Sequence, residues 1–333
     1  MRPLRLSVVA CVGVLLGGLV TGSPASAAGD HRLASGHPAA IAVPTFITSG
    51  PDGALWFTDL GTKGNPGSVG EITTRGKVTL YTGGGIDGPV GITVGPDGAL
   101  WFTNSSGDSI GRITTNGKIT SYTIRGIVNP IGITSGPFGD LWFTNAYNPG
   151  SFGLITTSGK IALHTSTDIV DPVGIVAGPG GTVWVTNAGT KTTKGSIAVL
   201  STNGKITGYT SGGINEPSGI TVGPDKAIWF TNYSGNSIGH ITTGGVGKIF
   251  TGKGIDEPYA ITSGPDGALW FTNYSGNSIG RITVNGKAAI FTGTGIDGPT
   301  GITAGPDGAL WFTNSGNNSI GRITTLGKVT NYT

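Results

Sequence analysis

The chain has 333 residues, with 20 Lys and Arg against 17 Asp and Glu for a net charge of +3, a balance that excludes a surface built for nucleic acid or anionic lipid. Charged residues are only 11%, while glycine fills 63 positions, roughly 19% against an average near 7%. A disordered glycine-rich tract is excluded in turn by 36% hydrophobic residues and seven tryptophans, which require a core.

In chain order, residues 1–27 open on Arg2 and Arg5, run apolar from Leu6 to Val20, and end on Ala25-Ser26-Ala27. This is the layout of a secretory signal cleaved after Ala27, too short and glycine-rich for a comfortable membrane span. The single cysteine, Cys11, lies inside it, so the mature chain is expected to carry no thiol, disulfide or thiolate metal site. Without Arg2 and Arg5 the balance is 18 basic against 17 acidic residues, near +1. Residues 28–44, which include His31 and His37, form a leader, although a short piece of it can still pair elsewhere.

From there the chain repeats. The phrase around each tryptophan recurs as "GPDGALWFTD" (50–59), "GPDGALWFTN" (95–104), "GPFGDLWFTN" (136–145), "GPGGTVWVTN" (178–187), "GPDKAIWFTN" (223–232), and "GPDGALWFTN" again at 264–273 and 305–314. Trp56, Trp101, Trp142, Trp184, Trp229, Trp270 and Trp311 follow at intervals of 45, 41, 42, 45, 41 and 41. A period of this length with no helical pattern is that of propeller blades of four strands. Residues 45–333 are therefore expected to form an all-β, seven-bladed β-propeller, the first blade near 45–82 and the last near 300–332.

Residues 259–292 show how a repeat divides. "YAITSG", "ALWFTN", "SIGRITV" and "KAAIFTG" are the strands; "PDG", "YSGN" and "NG" are the joins. Val, Ile, Thr and aromatics fill the former; Gly, Asn, Asp and Pro fill the latter. The last repeat contains its own fourth strand, "GKVTNYT", so the ring is expected to close without a strand lent by the N-terminus.

The repeat P-x-x-I-T-x-G-P-D-G-x-L-W-F-T … I-G-R-I-T … G-K-I resembles the streptogramin lyase family, the virginiamycin B lyase-like seven-bladed propellers, over nearly the whole mature chain. The resemblance implies Mg²⁺-assisted elimination that opens the cyclic ester of type B streptogramins. In active members one late blade begins its innermost strand P-H-A-I-T and the next E-P-H-G-I, with a further glutamate after W-F. The glutamates hold the metal, one histidine takes the proton and the other contacts substrate. In this chain the sixth repeat reads "EPYAIT", with Tyr259 at the substrate histidine. The seventh reads "GPTGIT", with Gly298 and Thr300 in place of glutamate and base, and Thr313, Asn314 and Ser315 follow Phe312. Shifting by one repeat recovers Glu257 as a metal ligand but still finds Tyr259. No catalytic residue and no metal ligand set is therefore assigned, and no cofactor is expected unless the lyase activity survives with Mg²⁺.

Other chemistry-bearing patterns have structural explanations. "GDSIG" (107–111) and "GNSIG" (235–239, 276–280) match a nucleophile elbow, but across a hairpin and without a histidine partner. Asp52, Asp97, Asp266 and Asp307 of the GPDG phrases are turn formers rather than Ca²⁺ ligands. His164 and His240 fall on outer strands and are expected at the surface. Asn232 and Asn273 head Asn-x-Ser sequons, relevant only in a host that glycosylates secreted proteins.

The axial funnel is expected to be lined by the residues after each strand-opening proline: Thr45, Val90, Ile131, Val173, Ser218, Tyr259 and Thr300. Glu216 and Glu257 lie beside prolines at the same mouth. Asp59, Asn104, Asn145, Asn187, Asn232, Asn273 and Asn314 either surround this funnel with amides or satisfy hairpin backbone groups. Two functions follow: a secreted, catalytically degenerate propeller that binds a small molecule or an extracellular partner as a monomer, or an active metal-assisted carbon–oxygen lyase.

Overall fold

The computed structural model describes residues 40–146, 150–190, 192–210 and 213–333. The signal segment with Cys11, and the leader up to residue 39 with His31 and His37, lie outside the described residues. Twenty-eight strands, β1 to β28 in chain order, form seven four-stranded antiparallel sheets. The sheets span 44–81, 89–122, 130–165, 172–209, 217–251, 258–292 and 299–332, blades 1 to 7. The one helical element among the described residues is a 3-10 turn at Pro179–Gly181, and no helix there is long and apolar enough to cross a membrane.

Blade 6 shows the expected division, with β21 (Pro258–Ser263), β22 (Leu269–Asn273), β23 (Ser278–Ile282) and β24 (Ala288–Thr292) running from axis to rim. Every second strand is buried throughout, and its tryptophan packs against the next blade. Trp56 meets Leu100 and Phe102, and Trp311 meets Leu55 and Phe57 across the closure. An aromatic ring on the fourth strand stacks on each tryptophan, such as Phe291 on Trp270 at 5.3 Å between centroids and Tyr332 on Trp311 at 5.3 Å. His164 takes this place against Trp142 at 5.6 Å. His240 lies edge-on to Trp229 at 4.8 Å with 13% of its side chain exposed. Both histidines are thus half-buried elements of the tryptophan layer, which corrects the expectation that they lie at the surface: the imidazole is flat enough to replace an aromatic neighbour or an arginine there.

A belt of threonines ties the blades together near the axis. Each first strand bulges just after its proline, so that in blade 6 Pro258 pairs with Asn273 but Ile261 pairs with Phe271. The threonine of each "WFT" or "WVT" enters the bulge, accepting the N–H two residues after the proline at 2.7–3.2 Å. The same hydroxyl donates to a first-strand carbonyl of the next blade at 2.5–2.8 Å, all round the ring. The last of these bonds, Thr313 Oγ1 to Thr45 O at 2.7 Å, closes the circle, and among the described residues no strand is exchanged between the termini.

Residues 41–43, expected to belong to the leader, are tied down. Ile41 is buried in the closing cluster with Trp311, and the Ala42 and Val43 amides donate to Asp59 at 3.1 and 2.6 Å.

Candidate functional site: the axial mouth

The seven residues after the strand-opening prolines have different surroundings. Thr45, Val90, Ile131, Ser218 and Thr300 are buried, while Val173 and Tyr259 are half-buried. Ile131, Val173 and Ser218 line an axial cavity of about 150 Å³ together with isoleucines two residues further on, including Ile92, Ile175, Ile220 and Ile302. Thr45 and Thr300 spend their hydroxyls internally. Thr45 Oγ1 shares a 2.8 Å hydrogen bond with Thr58 Oγ1, and Thr300 Oγ1 shares one of 2.9 Å with Thr313 Oγ1 and donates to Pro44 O at 3.2 Å.

The amide ring belongs to the scaffold. Asn104, Asn145, Asn187, Asn232, Asn273 and Asn314 are at most 2% exposed. Their Nδ2 groups donate at 2.8–3.4 Å to carbonyls of the loop entering their own blade. Asn232 and Asn273 of the sequons are among these buried amides. Ser109, Ser237 and Ser278 of the elbow-like phrases are likewise buried and accept from Asn104, Asn232 and Asn273 at 2.9–3.1 Å.

What does converge at the mouth is a cluster of aromatic rings and carboxylates from blades 4, 5, 6 and 1. Tyr259 has Phe46 at 6.1 Å, Tyr233 at 6.3 Å and Tyr274 at 6.4 Å, at interplanar angles of 42°, 81° and 46°. Phe46 occupies the bulge position that is glycine in five blades and Ala260 in blade 6. It therefore fills axial space the other blades leave open and reaches Tyr259 past blade 7. Tyr233 and Tyr274 were not singled out as site residues by sequence reasoning; the available signal was "WFTNY" in two adjacent repeats, where other repeats place Leu, Ser or Ala.

The carboxylates stand just before the prolines. Asp171, Glu216 and Glu257 hold φ of 51°, 51° and 45°, a left-handed conformation that costs a non-glycine residue about 1–3 kcal/mol. Gly88 and Gly298 occupy the same position in blades 2 and 7 with φ of 60° and 53°. The Glu257 amide donates to Asn236 Oδ1 at 2.8 Å. Its carboxylate accepts from Tyr233 Oη at 2.8 Å and from Ser275 Oγ, and Glu216 accepts from Ser234 Oγ. Burial first, then the nearby Glu216 charge, raises the Asp171 carboxyl above its ordinary range. Burial together with the Glu257 hydrogen bond pushes the Tyr233 phenol up, and burial followed by Tyr274 does the same for Tyr259.

No group of three or more His, Cys, Asp or Glu side chains suited to a metal ion exists among the described residues. Glu257 already receives two hydroxyl donors on one oxygen, so this donor set does not fit the glutamate pair that the resemblance implies for Mg²⁺.

The family model for virginiamycin B lyases matches residues 27–212 and 189–333. The chain belongs to the virginiamycin B lyase family. Among solved structures, a catalytically inactive histidine-to-alanine variant of virginiamycin B lyase from Staphylococcus aureus, with quinupristin, is 33% identical. It superimposes with a TM-score of 0.76 over 85% of this chain and 95% of that one. The selenomethionine-substituted form of virginiamycin B lyase from the same organism is 34% identical, with a TM-score of 0.75 over 84% and 94% of the two chains. A streptogramin B lyase is 31% identical, with a TM-score of 0.75 over 88% and 96%. No curated protein matches the chain. At its axial mouth this family member presents tyrosines and hydrogen-bonded glutamates.

Proposed function

We propose that this protein is a secreted, catalytically degenerate member of the virginiamycin B lyase family that binds a small molecule or extracellular partner at the axial mouth. One observation carries the reading. Where the family resemblance places the general base stands Thr300, 4% exposed, with its hydroxyl engaged by Thr313 and Pro44. A general base must reach its proton and hold a pKa near the working pH, and a buried threonine does neither. The relative from Staphylococcus aureus is described as catalytically inactive once a single histidine becomes alanine; the described histidines here, His164 and His240, belong to the tryptophan layer. Secretion rests on the signal layout of residues 1–27.

The competing reading, a surviving metal-assisted lyase, is favoured by the 33% identity to that enzyme and by Glu257 at the mouth. The two separate in one assay. Purified mature protein with Mg²⁺ is expected to leave quinupristin intact by chromatography, as in a protein-free control. Ring opening that a chelator abolishes would overturn the degenerate reading.

A further inference from the structure

The mouth combines three features that together define a ligand chemistry. The first is a set of aromatic faces: Tyr233 stands nearly upright to Tyr259 at 81°, and Tyr274 leans over it at 46°, all three half-buried. The second is unused hydrogen-bonding capacity. Tyr233 Oη is held by Glu257, whereas the Tyr259 and Tyr274 hydroxyls have no hydrogen-bond partner among the described residues. The third is the Glu257 carboxylate, which forms no ion pair among the described residues, where the pairs involve Asp97, Asp225, Asp266 and Asp307.

Among the described residues no Lys or Arg side chain forms a cation–π contact with these rings. The single cation–π contact among the described residues is Arg112 over Trp101. Aromatic faces attract cations through their negative quadrupole, most strongly when the cation is large, diffuse and poorly hydrated. A compact metal ion needs several oxygen ligands converging at short range, which this mouth lacks. A quaternary or alkylated ammonium needs rings around it and a carboxylate nearby, which this mouth has.

We propose that the axial mouth is an organic-cation site, in which Tyr259, Tyr233 and Tyr274 contact an alkylammonium group and Glu257 supplies the opposing charge. The proposal rests on the binding function above and names its ligand class. The apolar cavity, lined in part by Phe46, which lies against Tyr259, and by Ala260, gives a hydrocarbon substituent on the cation somewhere to go.

The test compares choline with its neutral isostere, 3,3-dimethylbutan-1-ol, by titration calorimetry on the full mature protein. Choline is expected to bind about tenfold more tightly than the alcohol. Tyr274→Ala should weaken choline about tenfold, Tyr274→Phe should keep most of the affinity because the ring remains, and Glu257→Gln should weaken choline several-fold and leave the alcohol unchanged. Tyr274 follows the second strand of blade 6 whereas Tyr259 lies within its first, so Tyr274 variants remain usable where Tyr259→Ala unfolds, and a melting curve for each variant checks this. Equal affinity for the two probes, no saturable choline binding, or a Tyr274→Ala variant that binds choline like the wild type overturns the proposal. Quinupristin bound without cleavage alongside such a result leaves the degenerate-binder function standing; quinupristin cleavage overturns that function whatever choline does.

Discussion

The ring of Phe271 lies directly over the α-carbon of Gly280: a methyl group built on Gly280 would sit 2.0 Å from Phe271 Cζ. The two are cross-strand partners in blade 6, and five other blades repeat the pair. Blade 4 solves the same space differently, with Val185 opposite Ala198. Gly280→Ala is therefore expected to destabilise the protein by about 1–3 kcal/mol through overpacking. Adding Phe271→Val should recover part of that loss, because the pair then matches blade 4. Chemical denaturation of the two single variants and the double variant gives the coupling, and strictly additive effects would sink the explanation.

Blade 3 contains a defect that can be repaired. In blades 1, 2, 5, 6 and 7 the tryptophan Nε1 donates to the turn aspartate, as Trp101 does to Asp97 at 2.9 Å and Trp311 to Asp307 at 3.0 Å. Blade 3 carries Phe138 at that turn position, 72% exposed, and buried Trp142 Nε1 has no partner. Phe138→Asp is expected to stabilise the fold by about 1–2 kcal/mol, since a buried donor gains an acceptor and an exposed aromatic is removed. A melting temperature at or below that of the wild type would contradict the role given to the turn aspartates.

The closure of the ring should depend on Thr313. Thr313→Val keeps shape but leaves the Gly301 amide and the Thr45 carbonyl without the hydroxyl they now share. A loss of about 1–3 kcal/mol is expected for stranding buried backbone groups. The same change at Thr103 breaks an equivalent interblade link, Thr103 Oγ1 to Ile131 O at 2.7 Å, away from the closure. Protease susceptibility near the termini should rise for Thr313→Val and not for Thr103→Val; equal patterns would mean that closure is no weaker than any other blade junction.

Acid stability should trace the turn aspartates. Burial works to raise Asp97, Asp266 and Asp307, but hydrogen bonds from Trp101, Trp270 and Trp311 and from Arg112, Arg281 and Arg322 outweigh it and hold these carboxyls below their ordinary value. A carboxyl depressed in the folded state contributes stability above its unfolded pKa and loses it as pH falls through the folded one. Asp307→Asn is thus expected to lower the melting temperature at pH 7, with the gap to the wild type closing as pH is taken below the usual carboxylate range. A gap that persists unchanged in strong acid would show that charge is not what Asp307 contributes.

The sequence by itself determined the blade count, the strand boundaries and the turns, because these depend on local periodicity: seven tryptophans in register, β-formers between glycine- and aspartate-rich joins. It also determined that no histidine follows any of the seven strand-opening prolines, since that is a matter of residue identity. Which side chains meet at the mouth was decided by the tertiary structure. The bulge between Pro258 and Ile261 breaks the two-residue alternation that normally tells one face of a strand from the other. The pattern therefore could not show that Thr45, Val90 and Thr300 are enclosed between strands while Tyr259 faces Phe46. Nor could it bring Phe46, near the start of the propeller, beside Tyr233, Tyr259 and Tyr274 from blades 5 and 6. That contact exists only because the ring closes, through Thr313 and Thr45 and through Trp311 packed against blade 1, and closure is a property of the whole circle rather than of any one repeat.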